Sequence, residues 1–323
     1  MSQPQAAPLD AELAFHQARQ GTLAGAAAGM ADVQARRAQL RAGTDYLRHH
    51  GRTRTQRQVA ARDEVWPLSI GPVRVRRYLH DADAAARGML VYFHGGGWVA
   101  GDLDSHDELV RHLLDRTGLE AVAVDYARAP EAVHPLPVEQ ACAVLAHLRR
   151  HNAGVPLVAA GDSAGAHIAA AAAHASEVPV QAMLLFYPVV RPCFTTTSYR
   201  QRGASGMLTL EAMRWSWSQY LGRDVPGDGL ATADPTVDLM RQHWRRPAPA
   251  TVVCTAWHDP LCDEGAQYAQ HLGASGARVA CQQAADMNHG FARYLGVSAS
   301  ACTHVDEAAA TLLELLDATG RRA

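Results

Sequence analysis

The sequence predicts an α/β protein in which a mostly parallel central sheet of about eight strands is flanked by helices. From residue 65 onward, short apolar runs with the length of strands alternate with segments that have helical periodicity. Several of these runs are apolar without interruption, which is typical of parallel strands buried on both faces. Hydrophobic residues make up 48% and charged residues 19% of the 323 positions, as in ordinary globular proteins.

The first part of the chain, residues 1–55, is rich in alanine, arginine and glutamine, and its apolar residues have helical spacing. It therefore predicts a helical N-terminal segment. Two β-rich runs joined by Gly71-Pro72 then predict an antiparallel hairpin at one edge of the sheet. Strands and helices alternate after this hairpin, which predicts parallel pairing. The predicted strands lie at 65–70, 73–79, 89–93, 121–124, 157–160, 182–187, 251–255 and 278–283.

Most of the predicted helices carry a start signal. Ser105 and Glu108 have the spacing of a capping box, so they predict a helix that begins after Ser105. Pro137 is favoured in the first turn of the next helix. An alanine-rich helix is predicted at 164–175, and a last helix around 305–316.

A long stretch without a clear strand, residues 190–245, interrupts the alternation. An insertion of this length in an α/β domain is typical of a lid or a binding element. It includes a helical segment near 210–221 with four large side chains, which could equally form a small core or contact a ligand. Those side chains are Met213, Trp215, Trp217 and Tyr220.

Charge and composition exclude several classes of function. The 32 acidic residues nearly balance 30 basic residues, so no overall field attracts nucleic acid or an anionic membrane. All of the basic residues are arginine. The absence of lysine excludes Schiff-base catalysis, pyridoxal phosphate attachment and the Walker phosphate loop. A small neutral or weakly charged molecule is therefore the expected partner.

Targeting and metal-binding signals are also missing from the sequence. The first ten residues have neither the basic region nor the apolar core of a signal peptide, and no run approaches the roughly 20 apolar residues of a membrane span. This predicts a cytoplasmic location. The 6 cysteines form no C-x-x-C pair and the 17 histidines include no H-E-x-x-H motif. The sequence thus predicts no metal and no cofactor.

The pentapeptide Gly161-Asp162-Ser163-Ala164-Gly165 lies between a predicted strand and a predicted helix. This is the context of a nucleophile elbow, in which a sharp turn holds a serine in a strained backbone conformation. The glycines on either side allow the strand and the helix to approach each other closely. The pattern also fits an ordinary tight turn, so by itself it makes Ser163 a candidate nucleophile only.

A second glycine-rich motif, H-G-G-G-W at 94–98, directly follows a predicted strand. Successive glycines leave backbone N–H groups free to point into a cavity, where they can stabilise the oxyanion of an acyl-transfer reaction. The candidate donors are the three glycines of this motif, Gly95, Gly96 and Gly97, together with Ala164.

A serine hydroxyl is a weak nucleophile until a base takes its proton, so a carboxylate and then a histidine should follow it in the chain. Asp259 comes directly after one predicted strand and His289 after the next. The carboxyl ends of parallel strands are where such a sheet gathers its site, which favours this pair. The competing residues are Asp263, Glu264 and Asp286 for the acid and His258 for the base.

Taken together, these motifs resemble the hormone-sensitive-lipase-like carboxylesterases, a family with the α/β-hydrolase fold. The resemblance implies that Ser163 is the nucleophile, His289 the general base and Asp259 the acid that orients the base. It also implies that Gly95, Gly96 and Ala164 are the oxyanion donors, with Gly97 as a further candidate. It extends from about residue 65 to the C-terminal helix. The further matching motifs are G-D-L-D-S-H-D at 101–107, D-Y-A-R-A-P-E at 125–131, D-P-L at 259–261, D-E-G at 263–265 and H-G-F at 289–291.

The resemblance also implies a helical cap over the site. The cap would consist of residues 1–55 and 190–245, and the catalytic domain would consist of 56–189 and 246–323. Four residues are expected to contact the substrate. They are Trp98, Tyr187, Met207 and Trp215.

By the same resemblance, the chain is expected to cleave short-to-medium-chain carboxylic esters through an acyl-serine intermediate. Amide or formamide hydrolysis is an alternative, since arylformamidases have a similar His-Gly-Gly loop before a tryptophan. A receptor-like protein that binds a ligand without turnover is a third, although such receptors lack the histidine that is present here as His289. The expected partner is a small acyl ester. The oligomeric state stays open, with a homodimer as one option.

Overall fold

The computed structural model describes residues 7–21, 32–55, 59–80, 88–244 and 246–320. Its centre is one sheet of eight strands. The strands are β1 (Val59–Leu68), β2 (Gly71–His80), β3 (Met89–Phe93), β4 (Glu120–Asp125), β5 (Leu157–Asp162), β6 (Ala182–Phe186), β7 (Ala250–His258) and β8 (Val279–Asn288). The helices are α1 (Ala11–Arg19), α2 (Val33–His50), α3 (Asp107–Thr117), α4 (Leu136–His151), α5 (Ala164–Ala175), α6 (Thr197–Arg202), α7 (Leu210–Leu221), α8 (Cys262–Ala274) and α9 (Ala299–Gly320), with 3-10 turns at Leu239–Arg241 and Phe291–Tyr294.

The strand order is β1-β2-β4-β3-β5-β6-β7-β8. The pairs β1/β2 and β2/β4 are antiparallel, and every other neighbouring pair is parallel. The predicted α/β fold with a mostly parallel sheet of eight strands is therefore confirmed. The hairpin turn falls at Ser69 and Ile70 rather than at Gly71-Pro72, because Leu68 already pairs with Gly71.

The sheet is buried on both faces, and alternate residues of each strand belong to different cores. Val91 packs in the core that contains α4 and α5, whereas Leu90 packs with α3 and α9. All five residues of β3 are buried, and so are all six of β5. This explains why the central strands have uninterrupted apolar sequences.

Two helical segments lie outside this layered arrangement. The first contains α1 and α2. Of the predicted N-terminal segment 1–55, residues 1–6 and 22–31 lie outside the described residues. The second lies between β6 and β7 and contains α6, α7 and the turn Leu239–Arg241. Within the described residues, no helix is both long enough and apolar enough to cross a membrane.

The predicted capping box is wrong. Helix α3 begins at Asp107 with His106 as its N-cap residue, and no side chain caps it. The Ser105 hydroxyl instead donates to the backbone carbonyl of Asp102 at 2.8 Å, and Glu108 accepts a hydrogen bond from the backbone of Arg54 at 3.2 Å. Ser105 and Glu108 thus hydrogen-bond to nearby loop backbone and not to the start of the helix. The sequence distance between the two residues does not reveal these other partners.

Candidate active site

The turn between β5 and α5 holds a single residue, Ser163. Its φ of 53° and ψ of −121° lie in a region that residues other than glycine rarely adopt. A Cβ atom added to Gly165 would collide with the carbonyl oxygen of Phe93, so this glycine lets α5 pack directly against β3. The predicted strand, sharp turn and helix are therefore present, and they place the hydroxyl of Ser163 at the carboxyl edge of the sheet.

His289 lies between Ser163 and Asp259. Its Nε2 is 2.8 Å from Oγ of Ser163, and its Nδ1 is 2.7 Å from Oδ2 of Asp259. Asp259 follows β7, its side chain is fully buried, and its Oδ1 accepts a hydrogen bond from the backbone of Leu261 at 2.9 Å. His289 follows β8. Ser163, His289 and Asp259, which follow three different strands, thus form one hydrogen-bonded chain.

The competing acids and the competing base bind elsewhere. Burial raises the pKa of Glu264 well above its usual value, which makes it unsuited to balance a histidine cation. Among the four candidate acids, Asp259 is the one whose hydrogen bond reaches His289 in the described structure. The competing residues make their hydrogen bonds elsewhere: His258 with Ala7, Asp263 with Ser198, Glu264 with Val190 and Asp286 with His304.

The hydrogen bonds of the glycine loop after β3 contradict the prediction that Gly95 is an oxyanion donor. The backbone N–H of Gly95 donates to Oδ1 of Asp162 at 2.8 Å, so it is not available to an oxyanion. Gly96 and Gly97 have φ values of 124° and 63°, which favour glycine. Among the described residues, the N–H groups of Gly96, Gly97 and Ala164 donate to no protein acceptor. The oxyanion donors expected from this geometry are therefore Gly96, Gly97 and Ala164.

A protein-family model described as an alpha/beta hydrolase fold matches residues 90–293, which is more than half of the chain. The chain belongs to the α/β-hydrolase family. This confirms the resemblance that the motifs carry.

Individual α/β hydrolases agree with this assignment. The carboxylic ester hydrolase LipN of Mycobacterium tuberculosis is 32% identical over 276 residues, which are 80% of this chain and 70% of LipN. An ethyl acetate hydrolase of Pseudomonas putida is 32% identical and covers 69% of this chain and 71% of its own. A solved esterase of Pyrobaculum calidifontis superposes with a TM-score of 0.81 at 29% identity, over 95% of this chain and 99% of that one.

Asp162, the residue before the nucleophile, anchors the glycine loop of this α/β hydrolase. Besides the N–H of Gly95, its Oδ1 accepts a hydrogen bond from the hydroxyl of Tyr92 at 2.8 Å and lies 3.1 Å from Nε2 of His106. Burial opposes ionisation of Asp162, but His106 and these hydrogen bonds hold its pKa well below its usual value. The sequence motifs alone predict no role for Asp162 or His106, although both residues lie in motifs that carry the resemblance.

We expect the variant Asp162→Asn to lower the free energy of unfolding by about 3 kcal/mol, because buried hydrogen bonds to a charged group are lost. It should also lower kcat about 10-fold, since the loop that carries Gly96 and Gly97 is held less firmly. Urea unfolding and ester hydrolysis measure the two effects. The exposed Asp224 offers a control, for which Asp224→Asn should change the free energy of unfolding by less than about 0.5 kcal/mol. Unchanged stability and kcat in Asp162→Asn would contradict the anchoring role.

A cavity of about 120 Å³ opens onto Ser163 and His289. Part of its wall comes from Gln20, from α2 and from the 3-10 turn that follows His289, and this part carries several polar side chains. Another part comes from the insertion between β6 and β7 and is mostly apolar. The polar part contains Gln20, Arg36, Gln39 and Arg293, and the insertion contributes Met207, Leu208, Met213 and Ser216.

Three of the four predicted substrate contacts do not line this cavity, whereas Met207 does. Trp98 is fully buried, and its ring stacks on Tyr220 at 4.4 Å between centroids and packs against Trp217 at 4.5 Å. It therefore belongs to a core that joins the glycine loop to α7. The sequence left open whether Trp217 and Tyr220 form a core or contact a ligand. Their contacts with Trp98 make them core residues.

Tyr187 and Trp215 are the other two predicted substrate contacts that do not line the cavity. Tyr187 is buried, and its ring meets that of His289 edge-on at 4.9 Å, so it supports the histidine instead of facing the cavity. Trp215 is half-buried on α7. The periodicity of α7 could not decide which of its aromatic side chains face inward, because the contact with Trp98 is non-local.

One group of possible metal ligands lies away from the site. Side-chain atoms of His112, Cys302 and Asp306 lie within 4.8 Å of one another. Nε2 of His112 is 2.6 Å from Oδ1 of Asp306, and Nε of Arg116 is 2.9 Å from the same oxygen. Because a guanidinium cation already neutralises this carboxylate, we assign no metal to the group.

Proposed function

We propose that this chain hydrolyses carboxylic esters with short-to-medium acyl groups and that Ser163 carries the acyl group as an intermediate. The strongest support is the continuous hydrogen-bonded chain from buried Asp259 through His289 to the hydroxyl of Ser163, at the wall of a cavity. The relatives named above, a carboxylic ester hydrolase, an ethyl acetate hydrolase and a solved esterase, agree with this reaction and do not favour the amide alternative. The reaction needs no metal and no cofactor.

In the first half of the reaction, Nε2 of His289 takes the proton of Ser163 while Oγ attacks the ester carbonyl carbon. The carbonyl oxygen becomes an oxyanion, and the N–H groups of Gly96, Gly97 and Ala164 stabilise it. Ala164 is the first residue of α5, so the positive end of the helix dipole adds to this stabilisation. His289 then gives its proton to the leaving alcohol, and the C–O bond breaks.

In the second half, a water molecule takes the place of the alcohol. His289 removes a proton from this water, the resulting hydroxide attacks the acyl-serine, and the same N–H groups hold the second oxyanion. Collapse of that intermediate returns the proton to Ser163 and releases the carboxylic acid. Asp259 accepts a hydrogen bond from Nδ1 throughout, so that Nε2 is unprotonated at the start of each half-reaction and can act as the base.

The size of the acyl group follows from the walls of the cavity. The N-terminal segment 1–55 and the insertion 190–245 act as the cap, and both contribute residues to the cavity wall. The volume of about 120 Å³ suits a short acyl chain beside Met207 and Met213. The cytoplasmic location and the homodimer stay predictions from the sequence.

The test is the hydrolysis of p-nitrophenyl acetate, butyrate and decanoate by the full-length protein. We expect kcat/KM for acetate or butyrate to exceed that for decanoate at least about 10-fold, because additional methylene groups meet the cap. N-formylkynurenine, measured in parallel, tests the formamide alternative. Faster cleavage of the formamide than of all three esters would overturn the proposal, and so would a lack of activity on every ester.

A further inference from the structure

Strands β7 and β8 end side by side at the active site. His258 is the last residue of β7 and Asn288 the last residue of β8, and the two pair with each other across the sheet. Asp259 and His289 are the residues that follow them. Contacts that hold His258 and Asn288 in place therefore also hold the backbone that carries the acid and the base.

The N-terminal segment binds both of these strand ends. Nε2 of His258 donates to the backbone oxygen of Ala7 at 2.8 Å. The backbone N–H of Asp10 donates to the backbone oxygen of Asp286 on β8, also at 2.8 Å. Helix α1 begins at the next residue, so its first turn is fixed beside the ends of β7 and β8.

A reciprocal pair of amides then connects α1 to the residue before His289. Nε2 of Gln17 donates to Oδ1 of Asn288 at 2.9 Å, and Nδ2 of Asn288 donates to Oε1 of Gln17 at 2.7 Å. The exposed fraction is 0% for Gln17 and 4% for Asn288. Since a buried amide without hydrogen bonds costs free energy, this pair holds the side chain of Asn288 in one position.

The backbone of His289 is restrained mainly from the side of Asn288. The imidazole has to meet Oγ of Ser163 at 2.8 Å and Oδ2 of Asp259 at 2.7 Å at the same time. Gly290 follows it with a φ of 84°, and a Cβ added to this glycine would meet no atom within 4 Å. Packing around Gly290 thus contributes little, and Asn288 is the fixed point next to the base in the chain.

We infer that Gln17 and Asn288 are positioning residues for His289, given the proposed ester hydrolysis in which this histidine is the base. Helix α1 of the N-terminal segment sets the orientation of the imidazole through the buried amide pair. The segment therefore does more than cover the cavity, because one of its side chains acts on the base through the residue before it.

Two acetate esters distinguish an effect on His289 from a general loss of structure. Ethyl acetate and p-nitrophenyl acetate transfer the same acetyl group to Ser163, but their alcohols depend differently on the histidine. Ethoxide is a poor leaving group and needs the proton from Nε2 of His289, whereas p-nitrophenolate can leave without a proton. A misplaced His289 should therefore slow the reaction of ethyl acetate more than that of p-nitrophenyl acetate.

The variant Asn288→Ala should lower kcat/KM about 10-fold for p-nitrophenyl acetate and about 100-fold for ethyl acetate. Glu12 provides the control, because it lies on the same helix and accepts a hydrogen bond from the backbone of Ala299 at 2.9 Å, away from Asn288. Glu12→Ala removes a contact of α1 with the catalytic domain and should leave the ratio of the two kcat/KM values unchanged. Circular dichroism checks the fold of each variant.

Gln17→Ala removes the same amide pair from the side of α1, so it also serves if Asn288→Ala does not fold. It should change the ratio of the two kcat/KM values by about the same factor as Asn288→Ala. The double variant should lower the ratio no further than either single variant, because all three lose one and the same contact.

The possible failures are distinguishable. A ratio like that of the wild type in folded Asn288→Ala and Gln17→Ala would overturn the inference and leave ester hydrolysis intact. An equal loss on both esters would also overturn it, since the amide pair would then support the fold or the cavity and not the histidine. A wild-type protein without turnover on either ester would instead contradict the proposed function.

Discussion

Replacing Ser163 by alanine is expected to lower kcat for p-nitrophenyl acetate by about 10⁴-fold or more, because no other group can form the acyl intermediate. His289 and the oxyanion donors remain in Ser163→Ala, so a small residual rate above that of water should persist. Alanine retains the Cβ atom, so the strained backbone at φ 53° is unchanged and the fold should be preserved. An absorbance assay of p-nitrophenol release measures the rate, and circular dichroism checks the fold.

The exposed Ser205, in the insertion between β6 and β7, provides the control for this experiment. Ser205→Ala should keep the rate of the wild type. A fluorophosphonate probe should label the wild type and Ser205→Ala but not Ser163→Ala, because it reacts only with an activated serine. Retained turnover in Ser163→Ala would show that another residue is the nucleophile, and the proposed mechanism would then fail.

The parts of the site that follow strand ends could be predicted from the sequence. In a parallel sheet the carboxyl ends of the strands meet at one edge, so residues that follow β5, β7 and β8 must come together. Ser163, Asp259 and His289 each lie directly after one of these strands. The order of the elements, which local periodicity reveals, was therefore sufficient to bring them together.

The role of Gly95 could not be predicted in this way. All three glycines of the loop can expose an N–H group, and the sequence does not reveal which of them already has an acceptor. The acceptor for Gly95 is Asp162, which lies on β5 and 67 positions further along the chain. Such a contact depends on the register of β3 against β5 and on the side-chain rotamer, neither of which local spacing determines.

The substrate contacts were predicted least well, for a related reason. Cores and pockets use the same aromatic residues, so Trp98 could be placed in either. The structure buries it against α7, while the polar wall comes from Arg36 on an N-terminal helix that the catalytic motifs do not include. A balanced total charge likewise contains no information on where individual charges lie.

The variant Asp259→Asn is expected to lower kcat about 10³-fold while leaving the fold intact. Asparagine has nearly the same shape and can still accept the hydrogen bond from the backbone of Leu261. Its amide N–H₂ group, however, would donate to Nδ1 of His289 and so favour the tautomer with a proton on Nε2. That tautomer cannot accept the proton of Ser163. The buried negative charge that balances the histidine cation is also lost.

Asp286 is the appropriate control, because it was a competing candidate for the acid and its carboxylate binds Ser300 and His304 instead. Asp286→Asn should keep kcat within a few-fold of the wild type, although it removes the same charge from the neighbourhood of β8. Steady-state kinetics of both variants on p-nitrophenyl acetate make the comparison. If Asp286→Asn lost activity and Asp259→Asn did not, the hydrogen bond of 2.7 Å between Asp259 and His289 would have no catalytic role. If both variants lost activity equally, the effect would come from the local negative charge and not from the tautomer of the histidine.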